Sequence, residues 1–235
     1  MTGQSMKHLM VCAAIAVIGI FSPTNAQQIS AEKILQNVKA NFDAVKDYTA
    51  NVTGKVSMER LKVPKMSLKI YFKQPNKFKT ESTGTSFIPR NILDLNPGDL
   101  LLKFDASLMG TEEVDGKKIY KIRLITKPEK KKQVRESFIW VDETHWTITR
   151  LEAYPIEGRK IEVLIESIVI DEKYILPAKI SVKFDFEQNT DSLAEKIYSP
   201  QRIPRKGSAE LIYSDYKVNT GLTDEFFEKK KELKE

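Results

Sequence analysis

The sequence predicts a mainly β fold with some helix, in which one large curved antiparallel sheet contains most of the chain. Nine segments from residue 50 onward alternate apolar and polar residues with a period of two, as strands with one buried face do. Pro, Gly, Asp or Asn separate most of these segments at short intervals, which favours an antiparallel meander over βαβ units. The candidate strands are residues 50–60, 66–74, 77–83, 117–126, 134–142, 147–154, 159–170, 174–187 and 207–218.

An amphipathic helix over residues 30–46 is the first predicted element. Ser30 is placed to cap this helix, and Glu32 lies in its first turn, where the helix dipole favours an acid. One face carries apolar side chains at helical spacing: Ile34, Leu35, Val38, Phe42 and Val45. Further helix is expected in parts of 86–109, near 190–198 and near 223–234, the last anchored by Phe226 and Phe227.

The stretch LKIYFKQPNKFKTES has the clearest pattern in the chain and predicts a hairpin. Leu68, Ile70 and Phe72 alternate with Lys and Tyr, so they share one face of the first strand. Pro75 then interrupts the ladder, because proline has no N–H to donate. The second strand carries Phe78, and the hairpin therefore has one apolar side.

The predicted helices are too few to cover the apolar face of so large a sheet. Besides the hairpin, this face carries Tyr120, Ile122, Leu124, Ile180, Val182, Phe184, Phe186, Leu211 and Tyr213. A curved sheet wrapped around one or two lid helices leaves a concave apolar interior that could hold a lipid chain. The alternative is a fully packed core in which the same side chains contact one another.

The hairpin and four further short motifs resemble, in the same order, the LolA-like family of periplasmic lipoprotein carriers and its outer-membrane lipoprotein-sorting branch. These motifs are Val114–Lys121, Phe138–Asp142, Leu176–Ile180 and Tyr216–Gly221. The resemblance implies an incomplete β-barrel closed by lid helices, with residues 27–235 forming a single domain. It also implies an apolar cavity that shields acyl chains.

The resemblance and the strand faces together give a set of candidate ligand-binding residues in the cavity wall and the lid. They are Leu68, Ile70, Phe72, Phe78, Ile92, Leu93, Leu95, Ile122, Leu124, Ile180, Val182 and Phe184.

Gln74 stands before the hairpin proline, where the lipoprotein carriers of this family usually have arginine. In the family that arginine helps to hold the lid shut through hydrogen bonds to the backbone. Glutamine has fewer donors and no charge, so the resemblance implies a weaker latch at Gln74. The cargo stays open among a triacylated lipoprotein, a phospholipid and another amphiphile.

The segment Ser86–Gly110 follows neither period and is strongly apolar. Connections of this length are usually functional, and one this apolar must cover something. We expect a lid that places Ile92, Leu93 and Leu95 opposite the sheet, with hinges at Pro89 and Pro97-Gly98. The alternative is a short helix and an edge strand that seal the barrel permanently.

Residues 1–26 have the pattern of a cleaved secretory signal peptide. Lys7 precedes the uncharged run Leu9–Phe21, which is shorter than the roughly 18 apolar residues of a membrane span, and Ala26 ends the segment. Cys12 lies inside the apolar run, so the mature chain has no disulfide. These features predict a periplasmic protein, the alternative being an uncleaved anchor.

The sequence offers little catalytic chemistry. Beyond residue 26 it contains no cysteine and one histidine, His145, which is expected in a surface turn. His/Cys metal clusters and Gly-rich phosphate loops are missing as well, so we predict no enzyme activity, no metal and no cofactor. A carboxylate pair for glycoside hydrolysis stays open, because the spacing of Asp and Glu in space is unknown.

The net charge of +6 is small, and both signs are mixed along the chain, which argues against nucleic-acid binding. The basic stretches Lys127–Lys132 and Arg202–Lys206 are solvated loops or docking patches for anionic head groups.

Three functions fit these observations. The first is a periplasmic carrier that receives a lipid or lipoprotein from a membrane-bound donor protein and passes it to a membrane-bound acceptor protein. The second is a lipid- or lipoprotein-sensing interaction module, like the sigma-factor regulator domains that share this fold. The third is an undetected hydrolase.

Overall fold

The computed structural model describes residues 29–58, 61–62, 64–82, 97–127, 136–154, 159–186 and 206–228. The helices in these ranges are α1 (Ala31–Asp43), α2 (Leu100–Lys103) and α3 (Asp224–Glu228), with a 3-10 turn at Pro97–Asp99. The strands are β1 (Asp47–Met58), β2 (Leu61–Lys62), β3 (Met66–Lys73), β4 (Lys77–Ser82), β5 (Phe104–Val114), β6 (Lys117–Thr126), β7 (Glu136–Asp142), β8 (Thr147–Tyr154), β9 (Arg159–Ile170), β10 (Tyr174–Phe186) and β11 (Lys206–Val218).

All eleven described strands belong to one sheet, whose order is β4-β3-β1-β11-β10-β9-β8-β7-β6-β5, with β2 paired to β1. Strands β5 to β11 form a meander in which each strand pairs antiparallel with the next. The last strand, β11, returns to β1 and so joins the N-terminal hairpin to the meander. Because β4 and β5 lie at opposite edges, the sheet is open, and the predicted mainly β, antiparallel fold is confirmed.

Each of the nine predicted strands is present. The first begins earlier than predicted, at Asp47. Strand β2 was not predicted, and β5 was foreseen only in the alternative interpretation of Ser86–Gly110.

Strand β5 corrects part of the lid prediction, because Phe104–Gly110 forms an edge strand paired with β6. Phe104, Ala106 and Leu108 face inward at period two, but the apolar run Leu100–Leu102 immediately before them obscures this alternation in the sequence. The alternative interpretation, a short helix followed by an edge strand, therefore describes residues 97–110.

Several predictions fall outside the described residues. These are the signal peptide over 1–26, the lid residues Ile92, Leu93 and Leu95 with Pro89, the helix near 190–198, most of the Lys127–Lys132 stretch and Arg202–Arg205.

Helix α1 packs one face against the inner surface of the sheet. Ser30 caps it as predicted, since Ser30 Oγ accepts a hydrogen bond from the Lys33 backbone N–H at 3.2 Å. The buried helix residues Ala31, Ile34, Leu35 and Val38 contact a cluster formed mainly by β6 and β7: Tyr120, Ile122, Leu124, Ile139 and Val141.

A second apolar cluster occupies the inner face of β1, β3, β9, β10 and β11. It includes Ala50, Val52, Leu68, Ile70, Val163, Ile180, Val182 and Leu211. Leu151 on β8 packs against both clusters and joins them. Near the end of β10 and the start of β11, the Phe184 ring lies directly against Gly207. Only glycine leaves room for this contact, because a Cβ at residue 207 would stand 2.3 Å from the ring.

The helices in the described part of the chain are all too short or too polar to cross a bilayer.

We predict that Ile122→Ala lowers the free energy of unfolding by about 2–5 kcal/mol, because Ile122 is fully buried beneath α1. Ile125→Ala on the opposite face of the same strand is the matched control, since Ile125 is 40% exposed, and its effect should stay near 0.5 kcal/mol. Urea denaturation followed by circular dichroism measures both. Equal losses would contradict the assignment of the inner face.

Candidate functional site

A concave pocket of about 150 Å³ lies between the C-terminal half of α1 and the inner face of the sheet. Helix α1 contributes Val38, Asn41 and Phe42 to its wall, and the ends of β1 and β3 contribute Tyr48 and Phe72. The floor is formed by the strands of the meander and β11, through Ile148, Leu151, Ile165, Ile180 and Tyr213. None of the described residues that line the pocket is charged.

The pocket is small for a lipid-binding cavity. Its volume is similar to that of apolar protein cavities that admit a benzene molecule, and pockets for larger ligands measure roughly 300–1,000 Å³. In this conformation the pocket therefore has room for a short part of an apolar chain.

Aromatic rings form one wall of the pocket. The Phe72 ring lies 5.7 Å from Phe42 and 5.2 Å from Tyr48, and the Tyr48 ring lies 5.6 Å from Tyr216. Tyr216 stacks on Tyr213 at 6.3 Å. Burial raises the pKa of the Tyr48, Tyr213 and Tyr216 phenols, so all three stay neutral.

Gln74, the predicted latch residue, holds the C-terminal end of α1. Its side-chain Nε2 donates to the carbonyl oxygens of Phe42 at 3.1 Å and Val45 at 3.0 Å. Its backbone N–H donates to the Lys46 carbonyl at 2.8 Å. The last carbonyls of a helix have no partner within the helix, so Gln74 satisfies part of this end.

Asn219 holds the same junction from the other side. Its Oδ1 accepts hydrogen bonds from the backbone N–H groups of Lys46 at 2.6 Å and Asp47 at 3.3 Å, and its Nδ2 donates to the Ala44 carbonyl at 3.1 Å. The Asn219 backbone N–H also donates to the Asp47 carbonyl at 2.8 Å. The loop after β11 is therefore fixed to the chain between α1 and β1.

The buried carboxylate of Asp47 completes this contact. It accepts hydrogen bonds from the Thr220 backbone N–H at 2.8 Å, the Thr220 hydroxyl at 3.1 Å and the Gly221 N–H at 3.0 Å. Gly221 has φ 79°, a conformation that glycine adopts without strain. The motif Tyr216–Gly221 thus fixes the base of α1.

The turn between β7 and β8 contacts α1 on the pocket's other side. Asn41 Nδ2 donates to the His145 carbonyl at 3.3 Å, and Trp146, which lines the pocket, stacks on Tyr120 at 6.0 Å. Asp142 organises the turn by accepting from the Thr144 N–H at 2.8 Å. Burial acts to raise the Asp142 pKa, but hydrogen bonds from Thr144 and His145 outweigh it and lower that pKa.

His145 is a partly exposed turn residue, as the sequence predicts. Its Nδ1 lies 3.1 Å from Asp142 Oδ2, and its side chain is 40% exposed. In the described part of the chain, His, Cys, Asp and Glu side chains do not form a group that could hold a metal ion.

The predicted ligand-binding residues lie in different parts of the structure. Phe72 and Ile180 line the pocket, whereas Phe78 packs against the second cluster and Phe184 lies at the far end of the sheet. The others that the structure describes are buried in the two apolar clusters: Leu68, Ile70, Ile122, Leu124 and Val182.

Sequence reasoning did not select several residues that line the pocket. They include Val38, Tyr48, Trp146, Leu151, Ile165 and Tyr213. Helical spacing had placed Val38 on the buried face of α1, and period two had placed Tyr213 on the inner face. Neither pattern shows which of the buried residues line a pocket.

Comparison with known proteins identifies related sequences of unassigned function. One protein family, described only as an uncharacterized protein, matches residues 70–234. An uncharacterized protein of Methanocaldococcus jannaschii is 22% identical over 187 residues, which are 68% of this chain and 53% of that protein. The chain therefore spans about half the length of this curated relative.

Solved structures share the fold at low sequence identity. A DUF1329 family protein from Desulfovibrio piger superposes with a TM-score of 0.59 at 15% identity, over 84% of this chain and 96% of that one. A LolA superfamily protein from Nitrosomonas europaea gives 0.57 at 14% identity, over 85% and 97%. A domain described as an outer membrane lipoprotein-sorting protein, from Vibrio parahaemolyticus, gives 0.57 at 14% identity, over 84% and 97%. The LolA-like fold is thereby confirmed.

We predict that Asn219→Ala destabilises the protein by about 1–2 kcal/mol, because it removes three hydrogen bonds that join the loop after β11 to the backbone of Ala44, Lys46 and Asp47. Asn51→Ala is the matched control, since the Asn51 amide makes a single hydrogen bond among the described residues, to the Asp215 side chain at 2.8 Å. Chemical denaturation compares the two variants. Similar losses for both would show that Asn219 has no special role at this junction.

Proposed function

Because this chain belongs to the family of uncharacterized proteins that matches residues 70–234, and has the LolA-like fold, we propose that it is a lipid carrier. In this proposal an apolar chain of a lipid or lipoprotein occupies the pocket between α1 and the sheet. The observation that carries the proposal is the concave pocket itself, whose described lining residues are all uncharged. It is bordered by a helix held at its C-terminal end by side-chain hydrogen bonds.

Burial of apolar surface would supply the binding energy. Each Å² of apolar area removed from water stabilises the complex by roughly 25 cal/mol, and no covalent step is needed. A guest longer than the present pocket would displace the C-terminal half of α1 from the floor residues, while the N-terminal half stays packed on β6 and β7. Release would then need an acceptor that offers the chain a better apolar environment.

The predicted signal peptide indicates where the protein would act. Residues 1–26 would direct the chain out of the cytoplasm and be removed, leaving residues 27–235 as the carrier domain in the periplasm. Membrane-bound donor and acceptor proteins would load and unload it, since an acyl chain does not cross water freely.

The first test is to purify the protein without detergent and identify co-purified lipids by mass spectrometry of an organic extract. Binding is then measured with a fluorescent apolar dye and its displacement by lipids. Finding neither a co-purified lipid nor dye binding to the folded protein would overturn the proposal.

A pocket-filling variant tests where the ligand lies. Ile165→Trp places a larger side chain in the pocket floor and should lower lipid affinity at least about tenfold, because the guest loses its space. Leu164→Trp is the matched control, since Leu164 is the neighbouring residue on the outer face and 38% exposed. Dye titration measures both affinities, and equal affinities in the two variants would place the ligand elsewhere.

The latch at Gln74 makes a kinetic prediction. A guanidinium in Gln74→Arg has more donors for the Phe42 and Val45 carbonyls, so it should hold α1 more tightly and slow lipid exchange. Gln74→Ala removes both side-chain hydrogen bonds and should accelerate exchange. Stopped-flow transfer of a fluorescent lipid to vesicles gives these rates; identical rates in all three proteins would exclude a latch at this position.

A further inference from the structure

Two phenolic hydroxyls in the pocket have no hydrogen-bond partner among the described residues. They belong to Tyr48 and Tyr213, which both line the pocket. The third tyrosine of the cluster, Tyr216, differs because its hydroxyl donates to the Pro177 carbonyl at 2.7 Å. Because Tyr48 and Tyr213 line the pocket, their hydroxyls are available to a guest that occupies it.

Tyr48 and Tyr213 belong to one cluster of aromatic rings. The Tyr48 and Tyr213 rings both pack on Tyr216, at 5.6 Å and 6.3 Å. Burial raises the pKa of both phenols, and the neighbouring Tyr48 phenol raises that of Tyr213 further. The hydroxyls therefore keep their protons and can donate hydrogen bonds.

The surroundings favour a neutral acceptor. The other polar side chains among the described lining residues, Asn41, Thr147 and Ser167, are also uncharged. The described part of the pocket wall therefore offers an ionised carboxylate no cation to offset its desolvation, which is strongly unfavourable. A pure hydrocarbon would leave both phenols without an acceptor.

We propose that Tyr48 and Tyr213 recognise the neutral carbonyl oxygen of an acylated lipid, so that the pocket selects acyl esters or amides over free fatty acids and plain hydrocarbons. A carbonyl oxygen has two lone pairs and accepts one hydrogen bond from each phenol. This inference rests on the proposed function and specifies the part of the cargo that enters the pocket.

The test compares four ligands with a twelve-carbon chain: methyl laurate, N-methyl lauramide, dodecane and laurate. Each displaces the fluorescent dye phenylnaphthylamine from the wild-type protein and from the variants Tyr48→Phe, Tyr213→Phe and Tyr216→Phe. Dodecane keeps the alkyl chain but has no hydrogen-bond acceptor, and comparing the ester with the amide distinguishes the two sources of a neutral acyl carbonyl.

We expect the wild-type protein to bind the ester or the amide more tightly than dodecane and laurate. Tyr48→Phe and Tyr213→Phe should each weaken binding of the carbonyl ligand about fivefold and leave binding of dodecane unchanged. Tyr216→Phe should preserve the preference, because its hydroxyl already has a protein partner. Equal losses for ester, amide and dodecane would mean that the phenols act only on the fold, and would overturn the inference.

The outcomes also separate this inference from the carrier proposal. A wild-type protein that binds all four ligands alike contradicts carbonyl recognition but keeps the carrier. One that binds none of them, with the fold intact, contradicts both.

The thermal stability of the empty protein provides a second readout. Tyr213→Phe removes a hydroxyl without a described partner and should leave the melting temperature unchanged or raise it, whereas Tyr216→Phe breaks a hydrogen bond and should lower it. A lower melting temperature for Tyr213→Phe would show that its hydroxyl is already satisfied within the protein, and would also overturn the inference.

Discussion

The structure depends on how the chain between α1 and β1 is held. Three backbone carbonyls and two backbone N–H groups in residues 42–47 are paired by the side chains of Gln74 and Asn219. The Asp47 carboxylate accepts hydrogen bonds from the loop after β11. A helix terminus normally leaves such backbone groups unpaired or hydrated. By satisfying them with side chains that directly follow β3 and β11, the fold sets the position at which α1 leaves the sheet.

This fixed position explains why a pocket remains beneath the helix. The N-terminal residues of α1 pack on β6 and β7 within one cluster of buried side chains. The C-terminal half lies near the aromatic rings of Tyr48 and Phe72, and the pocket lies between this half and the sheet. The junction thus holds the helix over a partly filled region, which a packed core would have eliminated.

The sequence predicted the strands well, because one buried face produces a local alternation that needs no knowledge of partners. It failed at Phe104–Gly110, where the preceding Leu100–Leu102 obscured the same alternation. The pocket was harder to predict from the sequence. Tyr48, Trp146 and Tyr213 come together only through the pairing of β1 with β11 and the curvature of the sheet. Asn219 joins Lys46 across most of the chain, and no local pattern encodes that contact.

The two free edges of the sheet have a mechanical consequence. Since β4 and β5 terminate the strand order on opposite sides, no ladder among the described strands closes the sheet into a ring. Enlarging the interior of a closed barrel would strain its hydrogen-bond register, because strand tilt, stagger and diameter are linked. An open sheet instead flattens or curls by small changes in twist shared among many strands, and every ladder survives. If the protein is the proposed carrier, the elastic compliance of the sheet, together with the displacement of α1, would set the largest guest that the fold admits.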